Sequence, residues 1–453
     1  MKRRAFIGSS AGTALSMACS GGGDEEKPAV RGTEIQVNND ESARTVKSLE
    51  KIRDRYNYYL FDDFLPFHYK YVVDHEYGGF MCNTDRDGTH ISTTKRAWFE
   101  GRGIWTYSFL FNNIDHDSRH LETARRSVEF ILKHKPSGND MWPSSYTREG
   151  KALGKPEIHI YGDCFIAAGL AEYARASGDD TFWRIAKETL LKCVRIYDKP
   201  DYCPNPAGGN LGPDTPPLSG ARILSEWMVL LWVVIPLLNY KSDPDVEEVQ
   251  ARCIDAMINH HYNSRFDLVN EYLNHDLTHI DDVYDQYVPV ATVIESYWML
   301  LMESVRLKNK KLFAVASDRI KRHIDVGWDD VYGGIYMNCW HVDDNVWDAY
   351  RKGMWAQVEP LNGLRLIIEH SGVKWAGEWF SKLYSHVMDK WPCEQYGFPL
   401  WLDYTDRKVT FERHTDRAEI FHYPRHLMLS LLSIGRMIKR GGEVSGVFNP
   451  ANS

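Results

Sequence analysis

Tyr77-Gly78-Gly79-Phe80, followed by Asn83-Thr84-Asp85-Arg86-Asp87-Gly88, returns downstream as Tyr332-Gly333-Gly334-Ile335 with His341-Val342-Asp343-Asp344. It returns again as Tyr396-Gly397-Phe398 with Asp403-Tyr404-Thr405-Asp406. Weaker copies are Trp142-Pro143 with Thr147-Arg148-Glu149-Gly150, and Phe266-Asp267 with Asn274-His275-Asp276. The pattern is an aromatic–glycine turn, a short strand-like run and an Asp-rich turn, which reads as a small hairpin. The spacing is about 65 residues, with one double gap at the Gly/Pro-rich stretch near Cys203-Pro204 that runs to Pro217. That period implies six units.

Between the turns, apolar residues recur at helical spacing. Twelve helices are expected, over roughly 42–73, 94–114, 119–134, 159–177, 180–197, 220–240, 245–263, 287–307, 309–326, 352–372, 375–391 and 418–440. Two helices per unit and six units describe an all-α fold, an (α/α)6 barrel with short β-hairpins at one mouth. An open helical solenoid is the alternative. Six units without a polar capping unit favour closure. One helix of each pair then lines the centre, and residues near its mouth end are the candidates for chemistry.

The 453 residues carry a net charge of -8 and no basic stripe, which excludes a nucleic-acid partner. Fifteen Trp, 25 Tyr and 18 Phe suit either a large core or an aromatic-walled cleft that stacks on sugar rings. Met1-Lys2-Arg3-Arg4, the short apolar stretch 5–18 and Cys19 resemble a twin-arginine export signal ending at a lipoprotein cleavage site. The stretch is too short to span a bilayer. The expected organisation is an export signal at 1–19, a flexible tether at 20–40, a barrel at 41–441 and a tail at 442–453. The location is then periplasmic or cell-envelope, with membrane contact only through a lipid on Cys19. The remaining cysteines are scattered, with no C-x-x-C pair, which argues against zinc and against a disulfide framework.

Trp98 and Arg102 are i, i+4 neighbours, a ring beside a guanidinium that suits sugar hydroxyls or an acidic sugar group. The plainer reading is a core tryptophan with a snorkelling arginine. Asp163 either caps its helix or points a carboxylate into the barrel. Thr292 and Glu295 share one face of an otherwise apolar helix start, where a buried glutamate needs a partner. Trp355 and Glu359 repeat the i, i+4 logic, with Pro360 expected to kink the helix or displace its start. His422 is the acid/base candidate, because its ordinary pKa lies near neutrality, and the two glutamates could orient it. Arg425 completes the substrate-binding set of Arg102, Trp98, Asp163, Trp355 and Thr292, beside His422, Glu295 and Glu359 as the catalytic set.

Three stretches, RAWFEGRGIW (96–105), KGMWAQVEP (352–360) and FHYPRHLM (421–428), resemble the N-acylglucosamine 2-epimerase superfamily, which includes cellobiose and mannose 2-epimerases and aldose–ketose isomerases. The resemblance runs in order from about 45 to 440 and implies the (α/α)6 barrel. It implies that Arg102 binds substrate hydroxyls, that Glu359 belongs to the site, and that His422 acts as acid/base at the C1–C2 region of a sugar. The family's second histidine stands in a P-G-H-x-x-E arrangement. Here the stretch is Pro289-Val290-Ala291-Thr292-Val293-Ile294-Glu295, so threonine takes the histidine's place. Glu100 stands where glutamine is common.

Epimerisation at C2 ordinarily uses two acid/base groups on opposite faces of a planar enediolate. One base suffices to move a proton from C2 to C1 on one face. Replacement groups for the missing histidine are His275, His279, Glu100 and Asp163. The expected function is therefore a carbohydrate epimerase or aldose–ketose isomerase. The substrate is a mono- or oligosaccharide, no motif calls for a metal or other cofactor, and the assembly is a monomer or homodimer. The alternatives are a glycoside hydrolase or lyase using paired carboxylates, such as Asp163 with Glu100, Glu295 or Glu359, and a non-catalytic sugar-binding lipoprotein.

Overall fold

The computed structural model describes residues 44–156, 159–203, 218–280, 283–347, 352–391 and 417–449. The expected export signal and tether, Cys393 and the Tyr396 hairpin lie outside the described residues. From Val37 onward the chain forms one compact unit.

Twelve long helices stand among the described residues. In chain order they are α1 (Val46–Asn57), α2 (Ala97–Asn113), α3 (Ser118–Leu132), α4 (Tyr161–Ser177), α5 (Asp180–Tyr197) and α6 (Leu224–Tyr240). They continue as α7 (Pro244–Asp255), α8 (Val290–Arg306), α9 (Lys310–Gly327), α10 (Met354–His370), α11 (Lys374–Lys390) and α12 (His422–Lys439). Wider i→i+5 turns prolong α1 as far as Val72. The even-numbered helices form the inner layer, each packed on the next, and α12 returns to α2. The odd-numbered helices lie outside them, the α/α arrangement that the repeat period predicts. Thr106 of α2 donates its hydroxyl to the Ile420 carbonyl at 2.8 Å, which ties the last unit to the first.

The two layers differ in sequence for a physical reason. Inner helices meet protein on every side, and α6 reads LSEWMVLLWVVIPLL with almost no polar face. Outer helices keep a wet face and an apolar stripe. Outer helices also start with side-chain caps, and Asp117, Asp179, Asp243 and Asn309 each accept a backbone N–H of the following turn. No side chain of the preceding residue caps an inner helix: those residues are Arg96, Ile160, Ile223, Pro289, Gly353 and Phe421. The inner N-termini thus keep donor groups and their positive dipole ends at one mouth. Pro360 neither starts nor ends α10, which runs on to His370.

Short strands feed these N-termini. β1 (Lys95–Arg96), β2 (Pro143–Tyr146) and β3 (Ala152–Pro156) form one antiparallel sheet. β4 (Arg222–Ile223) pairs with β7 (Tyr272–Leu273), bracketing the hairpin of β5 (Tyr262–Asn263) and β6 (Leu268–Val269). β8 (Cys339–His341) and β9 (Val346–Trp347) form the last hairpin among the described residues.

Candidate active site

A cavity of about 220 Å³ opens where the inner helices begin, lined by Trp98, Arg102, Tyr161, Ser225, Met228, Thr292, Glu295, Trp355, Arg417 and His422. All six inner helices contribute, each from its first two turns. An adjoining lobe of about 240 Å³ shares Trp98, Tyr161 and Ser225 and adds His159, Ile223 and Glu226.

His422 begins α12. Its backbone N–H and that of Phe421 both donate to Oε1 of Glu419, each at 2.7 Å, which pins the first turn. The ring donates through Nδ1 to Oε1 of Glu359 at 2.8 Å, which leaves the lone pair on Nε2. Burial, only partly opposed by Glu295 and Glu419, lowers the His422 pKa to about 3, so the ring is a neutral base at ordinary pH. Trp355 stands beside it, ring centres 5.5 Å apart.

Glu359 is fully buried and held by four donors. These are His422, Arg425 Nη2 at 2.7 Å, Trp298 Nε1 at 2.7 Å and Asn362 Nδ2 at 3.2 Å. Behind it the donor–acceptor order is complete. Tyr56 lies 3.0 Å from Nε2 of His426, whose Nδ1 lies 2.9 Å from Oδ1 of Asn362. Burial holds His426 neutral, so Tyr56 donates to His426, which donates to Asn362, which donates to Glu359. Arg425 Nη2 also donates to Glu295 Oε1 at 2.5 Å. One buried guanidinium therefore joins two carboxylates, and the rings of Phe421, Trp232 and Trp298 cage it at 4.2–5.0 Å. Glu295, Glu359 and His422 are close enough to share a metal, but Arg425 Nη2 already lies against two of those oxygens.

On another wall, Arg102 donates through Nη2 to the Tyr161 hydroxyl at 3.0 Å, and its Nε is buried with no protein partner. Its guanidinium packs at 4.2–4.9 Å from the rings of Phe165, Trp98 and Phe421. Such a cation has donors to spare for ligand oxygens.

The structure thus brings together six of the residues singled out from sequence: Trp98, Arg102, Thr292, Glu295, Trp355 and His422 line one cavity. Glu359 and Arg425 stand directly behind them, fully buried and away from the lining. Asp163 lies elsewhere. Its carboxylate accepts the Trp142 N–H at 3.0 Å and pairs with Lys192 at 2.6 Å, holding the β2 turn against α4. It neither caps its helix through the side chain nor lines the cavity. Glu100 has the same kind of place, accepting from Phe80 N and Ser127 Oγ. His275 and His279 are exposed on the outside of their hairpin.

Three polar residues at the wall escaped the sequence reading. Ser225 lines both lobes and donates its hydroxyl to Glu271 Oε1 at 2.6 Å. Glu226 accepts the Tyr202 hydroxyl at 2.8 Å. Burial raises Glu271 to about 7 and Glu226 to about 8. The signal for Glu226 is a lone acid in the long apolar run of α6, the same cue that marks Glu295. Glu271, on a short strand, offers none.

The sequence matches the family described as N-acylglucosamine 2-epimerase (GlcNAc 2-epimerase) over residues 78–424. It is 25% identical over 274 residues to the N-acylglucosamine 2-epimerase of Bos taurus, a match spanning 58% of this chain and 62% of that protein. The fold is similar to that of cellobiose 2-epimerase from Spirochaeta thermophila DSM 6192, with a TM-score of 0.72 and 19% identity, over 86% of this chain and 98% of that one. It is also similar to a D-mannose isomerase, with a TM-score of 0.66 and 16% identity, over 86% and 97% of the two chains. With the match reaching from the first glycine turn into the FHYPRHLM stretch, this chain belongs to the N-acylglucosamine 2-epimerase family.

Proposed function

We propose that the protein is a carbohydrate isomerase that moves a proton between C2 and C1 of a reducing sugar, with His422 as the base. The observation that carries this reading is the neutral His422 ring. Nδ1 is committed to Glu359, Nε2 is left for the substrate, and Thr292 stands where the family has its second histidine. A hydroxyl of threonine cannot take a carbon-bound proton at neutral pH. One base acting on one face gives aldose–ketose interconversion.

The surroundings suit an enediolate. Arg102 offers a buried cation, and six inner-helix N-termini turn their positive ends toward the cavity. Trp98 and Trp355 supply flat apolar walls for sugar C–H faces. Glu359 and Arg425 act through His422 and Glu295, fixing tautomer and ring angle. A paired-carboxylate hydrolase draws less support, because Glu295 and Glu359 meet on one Arg425 nitrogen instead of facing each other across the cavity.

The relatives' names supply the first probes. Incubation with D-mannose, cellobiose and N-acetylglucosamine in deuterated water, followed by NMR at C1 and C2, is the direct test. Solvent deuterium at C1 or C2 together with a ketose product is expected, and His422→Ala loses both. Glycosidic cleavage without exchange overturns the reading. The N-terminal residues add a location: an exported barrel, lipid-anchored at Cys19. Fatty-acid labelling that survives Cys19→Ser would refute the anchor.

A further inference from the structure

Ser225 and Glu271 form a second polar couple on the cavity wall. The third inner helix, α6, stands three places from α12 in either direction around the ring of six, so Ser225 and His422 occupy opposite walls. Pairing of β4 with β7 puts Glu271 beside the start of α6: the Leu224 N–H donates to the Glu271 carbonyl at 2.9 Å, and the Ser225 hydroxyl donates to its carboxyl at 2.6 Å. Glu271 is 2% exposed and its Oε2 has no partner, so Ser225 is its link to the cavity. A buried carboxyl tied only to a cavity-facing hydroxyl is poorly explained as scaffold, since an apolar residue would avoid the desolvation cost.

Resting on the isomerase reading, we propose that Ser225 and Glu271 are its proton relay to the substrate oxygens, with Ser225 touching the sugar and Glu271 acting through it. When His422 Nε2 removes the C2 proton, the C–H pair becomes the C1=C2 bond and the C1=O π pair moves onto O1. O1 takes the Ser225 hydroxyl proton, and Ser225 takes one from the Glu271 carboxyl. On collapse, His422 returns its proton to C1, the O2–H pair forms the C2 carbonyl, and the O2 proton passes through Ser225 back to Glu271. Both ends of the cycle hold Glu271 protonated and His422 neutral, so the protons balance.

Burial raises Glu271 to about 7, which lets it give and take a proton near neutrality. The ionisable neighbours are Glu226 on α6, bonded to Tyr202, and Arg222 on β4. Activity falls as pH rises through about 7, where Glu271 loses the proton it must give.

The test uses the full chain and the most active sugar of the three-probe panel. Ser225→Ala is expected to lower kcat about tenfold to a hundredfold with KM nearly unchanged. Glu271→Gln lowers kcat comparably and abolishes the pH dependence near 7, while both variants melt as the parent does. Parental kcat and pH profile in Ser225→Ala overturn the relay and leave the isomerase reading intact. Loss confined to His159→Asn, the other titratable group in the adjoining lobe, overturns it in favour of that histidine. No exchange by the parent protein on any probe sinks both.

Discussion

Lys95 and Lys352 each stand at the entrance of an inner helix and drive an ammonium into a Gly-Gly turn. Lys95 reaches Asp74 at 2.9 Å and the Gly78 carbonyl at 2.6 Å; Lys352 reaches Asp329 at 2.8 Å and the Gly333 carbonyl. Asp74 Oδ1 accepts the N–H groups of Glu76 and Tyr77, and Asp329 Oδ1 those of Val331 and Tyr332. The Phe80 N–H ends on Glu100 at 3.0 Å and the Ile335 N–H on Gln357 at 2.7 Å. Gly79 and Gly334 have φ of 80° and 81°, and a Cβ on either would press against that same side chain. Trp98 and Trp355, one helical face away, both line the cavity. The junction is thus copied nearly atom for atom between the first and fifth units. The copies part at the next cavity-side position, where Arg102 offers a cation to the ligand and Glu359 holds the base. A rigid repeated junction lets chemistry change at one residue without disturbing the fold.

If that division is right, changes at the divergent positions affect catalysis and changes in the copied junction affect stability. Glu359→Gln should have the largest effect, lowering exchange at C1/C2 by about a hundredfold to ten-thousandfold, because the amide cannot hold His422 Nδ1–H as a carboxylate does. Exchange at the parental rate would mean that Glu359 is scaffold. Lys352→Met should cost about 3–5 kcal/mol in urea unfolding, since it strips the ammonium from a buried ion pair. Lys95→Met should cost less than that upper figure, because Arg148 remains 3.1 Å from Asp74. Unchanged midpoints in both would show that the junction is held by backbone alone. Arg102→Met should raise KM about tenfold to a hundredfold, the loss of one or two hydrogen bonds from a charged donor. An unchanged KM would take Arg102 off the substrate.

Helices, repeat and junction were readable in the sequence because their signals are local: 3.6-residue periodicity, paired glycines at positive φ, and Asp caps. The cavity was half readable, and helix geometry explains which half. Trp98 and Arg102, four apart, share a face, whereas Glu100, two positions on, lies about 200° around the helix and points toward the outer layer. The same two-residue offset separates cavity-lining Tyr161 from Asp163, which instead holds the β2 turn. Acidity marked both residues, but facing decided their places. Ser225 and Glu271 lie 46 positions apart and meet only through the β4–β7 pairing, so no window along the chain contains them both.

The finest test lies in the one difference within the copied junction, Glu100 against Gln357. Burial, opposed in part by Lys95 and Ser127, raises Glu100 to about 7. Its folded pKa thus exceeds its unfolded value, so the stability it contributes is full below about 4.5 and is lost as pH rises toward about 7. Glu100→Gln removes that slope. Gln357 shows where the amide hydrogens go: its Nε2 donates to the Ile335 carbonyl at 2.9 Å, and the matching Phe80 carbonyl belongs to the first junction. The variant should therefore match the parent at pH 4.5. It should gain on it by about 1 kcal/mol per pH unit up to about 7, then hold a constant lead. Urea midpoints at pH 5 and pH 8 measure this. An equal loss at both values would show that Glu100 is needed as a carboxyl, and that the two junctions are copies in shape but not in chemistry.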